Sequence, residues 1–190
     1  MEYLSNVWMG VEVGGTVVAG VLAGSLALVA FGADSFVELV SGVAVLRHLR
    51  IYNRGSDMLG DRTALLTSGL LFALIPTLGG GAIYSYLTGI RPEGSPLGIG
   101  LAMGAVAVMP FLFVEKRRIG RETRCLPLSV DAYASATCLL LSVSLLGGLL
   151  VVYLTGLWWI DYATTGVILT FVAKEAIESR REASTHPKKQ

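Results

Sequence analysis

The sequence predicts an all-α integral membrane protein, a bundle of six transmembrane helices with both termini in the cytoplasm. Three observations carry this expectation. The 190-residue chain is 53% hydrophobic and only 15% charged, too little charge to coat a soluble core of that size. Six apolar stretches are long enough to cross a hydrocarbon layer of about 30 Å, which takes roughly 20 helical residues. Almost all of the basic residues fall in alternate connections between those stretches.

The first stretch covers residues 7–29. The preceding "MEYLSN" carries no positive charge, and the apolar run is too long for a secretory leader, so it is read as a span. The second, 32–50, follows with almost no connection. The third, 63–88, contains Pro76 and the run Gly79–Gly81, which predict a kink or local unwinding. The fourth, 96–114, has Pro110 near its end. The fifth and sixth cover 127–153 and 157–178. Small residues spaced by four, Gly20 with Gly24 and Gly100 with Gly104, suit close helix packing in lipid. Residues 1–179 are thus expected to form one six-helix domain, with 180–190 a short basic cytoplasmic tail that frays.

Charge orients the bundle. Arg47, Arg50, Arg54 and Arg62 lie between spans two and three, and Lys116, Arg117, Arg118, Arg121 and Arg124 between spans four and five. Lys174, Arg180, Arg181, Lys188 and Lys189 lie at or after the end of span six. Of the 15 Lys and Arg, only Arg91 falls on the other side. The positive-inside rule then places both termini in the cytoplasm. A net charge of +1, without a basic stripe, excludes a nucleic-acid partner. The two cysteines, Cys125 in a basic loop and Cys138 in an apolar segment, form no disulfide framework.

Five of the 14 acidic residues fall at or near membrane depth: Glu12, Asp34, Glu38, Asp131 and Asp161. No Lys or Arg lies deep in a span to pair with them, and a charge at the bilayer centre costs about 2.5–3.5 kcal/mol. Asp161, after two interfacial tryptophans in "WWIDY", reads best as an N-cap of the sixth helix. Glu12 is open between lining the interior and reaching headgroups or water. Asp131 is an N-cap or a mouth residue. Glu175 and Glu178 are assigned to the last cytoplasmic turns. Asp34 and Glu38 differ: acids at i, i+4 repel each other on a helix, so a functional site explains them better than a structural one.

Span five carries a polar face of its own. Asp131, Ser135, Cys138 and Ser142 are spaced by four, three and four residues, one side of a helix. Cys138 alone is a small hydrophobe, but opposite two carboxylates its thiolate becomes a soft ligand. Two hard oxygens and one sulfur suit zinc-like metals better than calcium or magnesium. Asp131 and Cys138 are about 10.5 Å apart along the helix axis, too far to hold one ion. The expected metal ligands are therefore Asp34, Glu38 and Cys138, with Ser135, Glu12 or water completing the shell and Asp131 in a vestibule. No nucleophile–base set for an intramembrane hydrolase is visible.

These stretches resemble the cation diffusion facilitator family of divalent-metal transporters. "GSLALVAFGADSFVELVSG" is similar to the family's "GS-AL…ADS" signature, with Asp34 and Glu38 at its two metal-binding positions. "VDAYASATCLLLS" resembles "ADAxHxxxDxxxS": Asp131 matches the first Asp and Ser142 the final Ser. Ala134 stands at the His position and Cys138 at the second Asp. That departure, with "SPLGIGLAMGAVAVMP", "KRRIGRE" and "WWIDYA", resembles the family's short branch without a cytoplasmic metal-binding domain.

The resemblance implies proton-coupled export of Zn²⁺ or a similar metal by alternating access, usually as a homodimer. The metal is the transported substrate, and no cofactor is expected. Coupling is chemically natural, since carboxylates and a thiol must lose protons to bind metal. A metal-binding but non-transporting partner of another transporter is the alternative, because two of the usual ligands are changed. Compact loops suit a prokaryotic inner membrane.

Overall fold

The computed structural model describes the backbone of residues 2–51, 58–122 and 126–185, and side chains within 5–43, 69–118 and 137–177. Among these residues the chain forms six α-helices and no strand: α1 (Glu2–Ala23), α2 (Leu26–Ile51), α3 (Met58–Leu87), α4 (Pro96–Glu122), α5 (Leu126–Thr155) and α6 (Trp159–Thr185). A lipid-facing backbone must satisfy its polar groups internally, which is why a multi-pass chain of this composition is all helix.

The first turn falls earlier than the apolar run suggests. α1 stops at Ala23, so Leu26–Val29 belongs to α2 rather than to a first span reaching residue 29. Gly24 adopts φ 62°, a left-handed conformation that glycine takes without steric cost. The Ser25 amide donates to the Gly20 carbonyl (2.9 Å) and the Gly24 amide to that of Val21 (3.4 Å), the pairing of a Schellman cap. Ser25 then opens α2, its hydroxyl accepting from the Leu28 amide at 3.2 Å. Hydropathy misses the turn because its flanks are apolar; the "AGS" triplet holds its chemistry.

α3 passes through Pro76 and Gly79–Gly81 as one helix, so the local unwinding expected there does not occur. Pro76 removes the donor that would reach the Phe72 carbonyl, and one residue on the Thr77 hydroxyl donates to the Ala73 carbonyl at 2.8 Å. α6 continues to Thr185, with no break at residues 179–180.

Among the described residues, five helices are long and apolar enough to cross a membrane: Ser5–Ala23, Leu26–Val43, Gly69–Leu87, Pro96–Glu115 and Thr137–Thr155. α6 is more polar and lies against α2, α3 and α5. α2 is the hub, packed on α1, α3, α5 and α6. Its spanning segment is 56% buried, against 17% for that of α3, so α2 holds Asp34 and Glu38 away from lipid, as α1 does Glu12 and α6 does Asp161.

Helices in lipid associate through close packing rather than hydrophobic exclusion, and glycines set the approach. A Cβ on Gly32 would meet Thr16 Oγ1 at 2.5 Å, and one on Gly104 would meet the Trp8 ring at 2.7 Å. Gly20 lies against Val29 of α2, whereas nothing approaches Gly100 within 4 Å. Of the two glycine pairs picked out by spacing, Gly20 and Gly104 are packing positions. Gly24 serves the turn.

Candidate metal site

The site begins with the buried face of α1. Met9, Glu12 and Thr16 recur at helical spacing, and Glu12 has no exposed surface. The Trp8 indole N–H donates to Glu12 Oε2 at 2.7 Å, one turn away on the same helix. The Ser35 hydroxyl of α2 donates to Oε1 at 2.7 Å. The Cys138 thiol of α5 lies 3.9 Å from the same oxygen. Glu12 therefore faces the interior and joins three helices, which decides between the two readings left open for it. Thr16 serves the backbone instead, donating to the Glu12 carbonyl at 2.6 Å.

Asp34 and Glu38 are both buried on α2. Among the described residues, Asp34 lies under the charges of Glu175, Glu38 and Glu12, in that order. Cys138 is a buried free thiol, hydrogen-bonded with Glu38 and under the charge of Glu12 and Asp34. One turn on, Ser142 Oγ donates to the Cys138 backbone carbonyl at 2.7 Å. The fold thus brings Asp34, Glu38, Cys138 and Glu12 into one neighbourhood. Among the described residues no three His, Cys, Asp or Glu side chains converge closely enough to hold one ion, so ligation by three of them requires side-chain movement. The side chains of Asp131, Ala134 and Ser135 lie outside the described residues, as does Cys125.

Glu175 is the member that sequence reading missed, having been placed on the last cytoplasmic turns. On α6 it is half-buried and near enough for its charge to act on Asp34. A signal was present: Asp161, Ile168 and Glu175 recur every seven residues, which keeps them on one helical face, and Asp161 and Ile168 are buried.

Asp161 does not cap its own helix. Its carboxylate accepts from the Ser25 hydroxyl (2.5 Å), the Leu26 amide (3.0 Å) and the Ala27 amide (3.3 Å). Those amides are the unpaired donors at the amino end of α2, where the helix dipole favours negative charge. Asp161 therefore anchors the helix that carries the acid pair. Beside it, the Tyr162 hydroxyl donates to the Ile90 carbonyl at 2.8 Å, and Tyr86, Trp158 and Tyr162 pack ring to ring.

The acid pair is thus buried on the hub helix, with a thiol and two further carboxylates nearby. The model of the cation efflux transmembrane domain matches residues 9–185. The chain belongs to the cation efflux family. Cation efflux proteins are divalent-cation transporters, so this is a multi-pass membrane protein of a transporter family rather than a classical enzyme. No curated protein matches the chain.

Proposed function

We propose that this cation efflux protein exports a divalent metal, Zn²⁺ foremost, from the cytoplasm in exchange for protons, by alternating access. Asp34, Glu38 and Cys138 are the ligands in this reading. The observation that carries it is the placement of Asp34 and Glu38, buried on the hub helix with the Cys138 thiol on Glu38. Buried acids held close together repel one another when ionised, and a divalent cation relieves that repulsion. Two carboxylates and a thiolate favour Zn²⁺ over harder ions.

Metal and protons compete for the same atoms. Loading the ion releases protons, and reprotonation on the far side expels it, the minimum requirement for antiport. Glu12 supports the site by orienting Cys138 and Ser35, and it can give one oxygen to the ion. Ser135 or water completes the shell, and Asp131 guards the approach. The metal is cargo and no resident cofactor is invoked. A homodimer in a prokaryotic inner membrane is the setting proposed.

Purified protein in liposomes should move Zn²⁺ against a proton gradient, and Asp34→Asn with Glu38→Gln should abolish the flux. An unchanged flux would remove these residues from the site. A second reading, a binding partner that does not transport, is favoured by Ala134 and Cys138 standing in place of the family's His and Asp. Calorimetric Zn²⁺ binding without flux supports that reading, and Ala134→His with Cys138→Asp should then create transport.

A further inference from the structure

The seam between α1 and α2 is a polar ladder. Read from the Gly24 turn, Thr16 meets Gly32, Glu12 meets Ser35, and Asn6 meets Gly42. The upper rungs are satisfied, since the Thr16 hydroxyl and both Glu12 oxygens have partners. The last rung is not. Ser5 has no exposed surface, and its Oγ has no partner among the described residues. The Asn6 Oδ1 and Nδ2 are likewise buried without a partner. A Cβ on Gly42 would sit 2.5 Å from Asn6 Oδ1, so the amide rests directly on the α2 backbone.

A buried polar atom left without a hydrogen-bond partner is held at a net cost. Alanine and leucine at these two consecutive positions would pack at lower cost. A ligand that visits the Ser5 and Asn6 oxygens explains their presence. Gly42 is one turn from Glu38 and two from Asp34 on the same face of α2, on the side that the basic residues assign to the cytoplasm.

We propose that Ser5 and Asn6, seated against Gly42, form a second cation station, where a partly hydrated divalent ion is held by neutral oxygens before it passes to Glu38 and Asp34. Hydroxyl and amide oxygens are hard, weak ligands. They need not lose a proton to bind, so the station loads cation at a pH where the acids remain protonated. Weak first contact followed by strong charged ligation draws the ion inward without trapping it at the entrance.

This inference rests on the transport reading and is tested apart from it. In proteoliposomes, Ser5→Ala with Asn6→Leu should raise the KM for Zn²⁺ about tenfold, the equivalent of one or two lost polar contacts, with kcat little changed. Asn6→Asp should lower KM. Because the first pair of changes removes unsatisfied atoms, it should raise thermal stability while impairing uptake, which a purely structural role cannot do.

Co²⁺ quenching of Trp8 fluorescence, in the full chain carrying Trp158→Phe and Trp159→Phe, reads the station without transport. Quenching should persist when Asp34→Asn and Glu38→Gln are added and vanish when Ser5→Ala and Asn6→Leu are added as well. An unmoved KM, or Trp8 quenching indifferent to Ser5 and Asn6, overturns the station and leaves those atoms to water. Flux that survives Asp34→Asn with Glu38→Gln refutes the transport site instead.

Discussion

Asp161 and Ser25 share a 2.5 Å hydrogen bond across 136 residues of chain. The bond ties the start of α6 to the start of α2, and the same carboxylate takes two further amides of α2. The acid pair thus sits on a helix whose amino end is held by another element. Asp161→Ala strands these donors and should destabilise the fold by about 2–4 kcal/mol. Asp161→Asn keeps one acceptor and should cost about half as much. Thermal unfolding in detergent measures both, and equal stability of Asp161→Ala and the parent would contradict the anchor.

Trp8 and Glu12 should be energetically coupled. Glu12→Ala removes the acceptor of both the indole N–H and the Ser35 hydroxyl. Trp8→Phe removes the first of those donors. A double-mutant cycle on unfolding should give a coupling of about 1–3 kcal/mol. Strict additivity would mean that the 2.7 Å contact has no energetic weight.

Cys138 should set metal preference. Cys138→Ala removes the soft ligand, and the ratio of Cd²⁺ to Mn²⁺ transport should fall on the order of tenfold. Cys138→Asp should favour Mn²⁺ further. Competition between the ions in proteoliposomes reads the ratio, and a ratio unmoved by either change would place Cys138 outside the site.

Close approach of α1 and α2 should be intolerant of bulk. Gly32→Val drives atoms into Thr16 and Val17 and, three residues from Ser35, should also loosen the bond to Glu12. The expected cost is about 1–3 kcal/mol, with a parallel loss of flux. Gly14→Ala, where nothing lies within 4 Å, is the control and should be neutral or slightly stabilising.

Much of this protein is legible in the sequence because the bilayer is a simple solvent. It demands helices, their length follows from its thickness, and basic residues sort to one side. Asp34 and Glu38 stood out for the same reason: in an apolar helix, a pair of acids has few structural explanations. The sequence also showed that Cys138 lies on the polar face of its helix.

Which helix each polar residue serves is a different kind of fact. Asp161 looked like a cap and is one, but for α2. Glu12 could have reached headgroups and instead joins α1, α2 and α5. Glu175 was assigned to cytoplasmic turns and acts on Asp34. Hydropathy and period describe one helix at a time, and they fix its face without naming the neighbour opposite. The neighbours follow from the turn at Gly24 and from how closely glycines let helices approach. Those depend on packing between residues far apart in the chain, which only the tertiary structure decides.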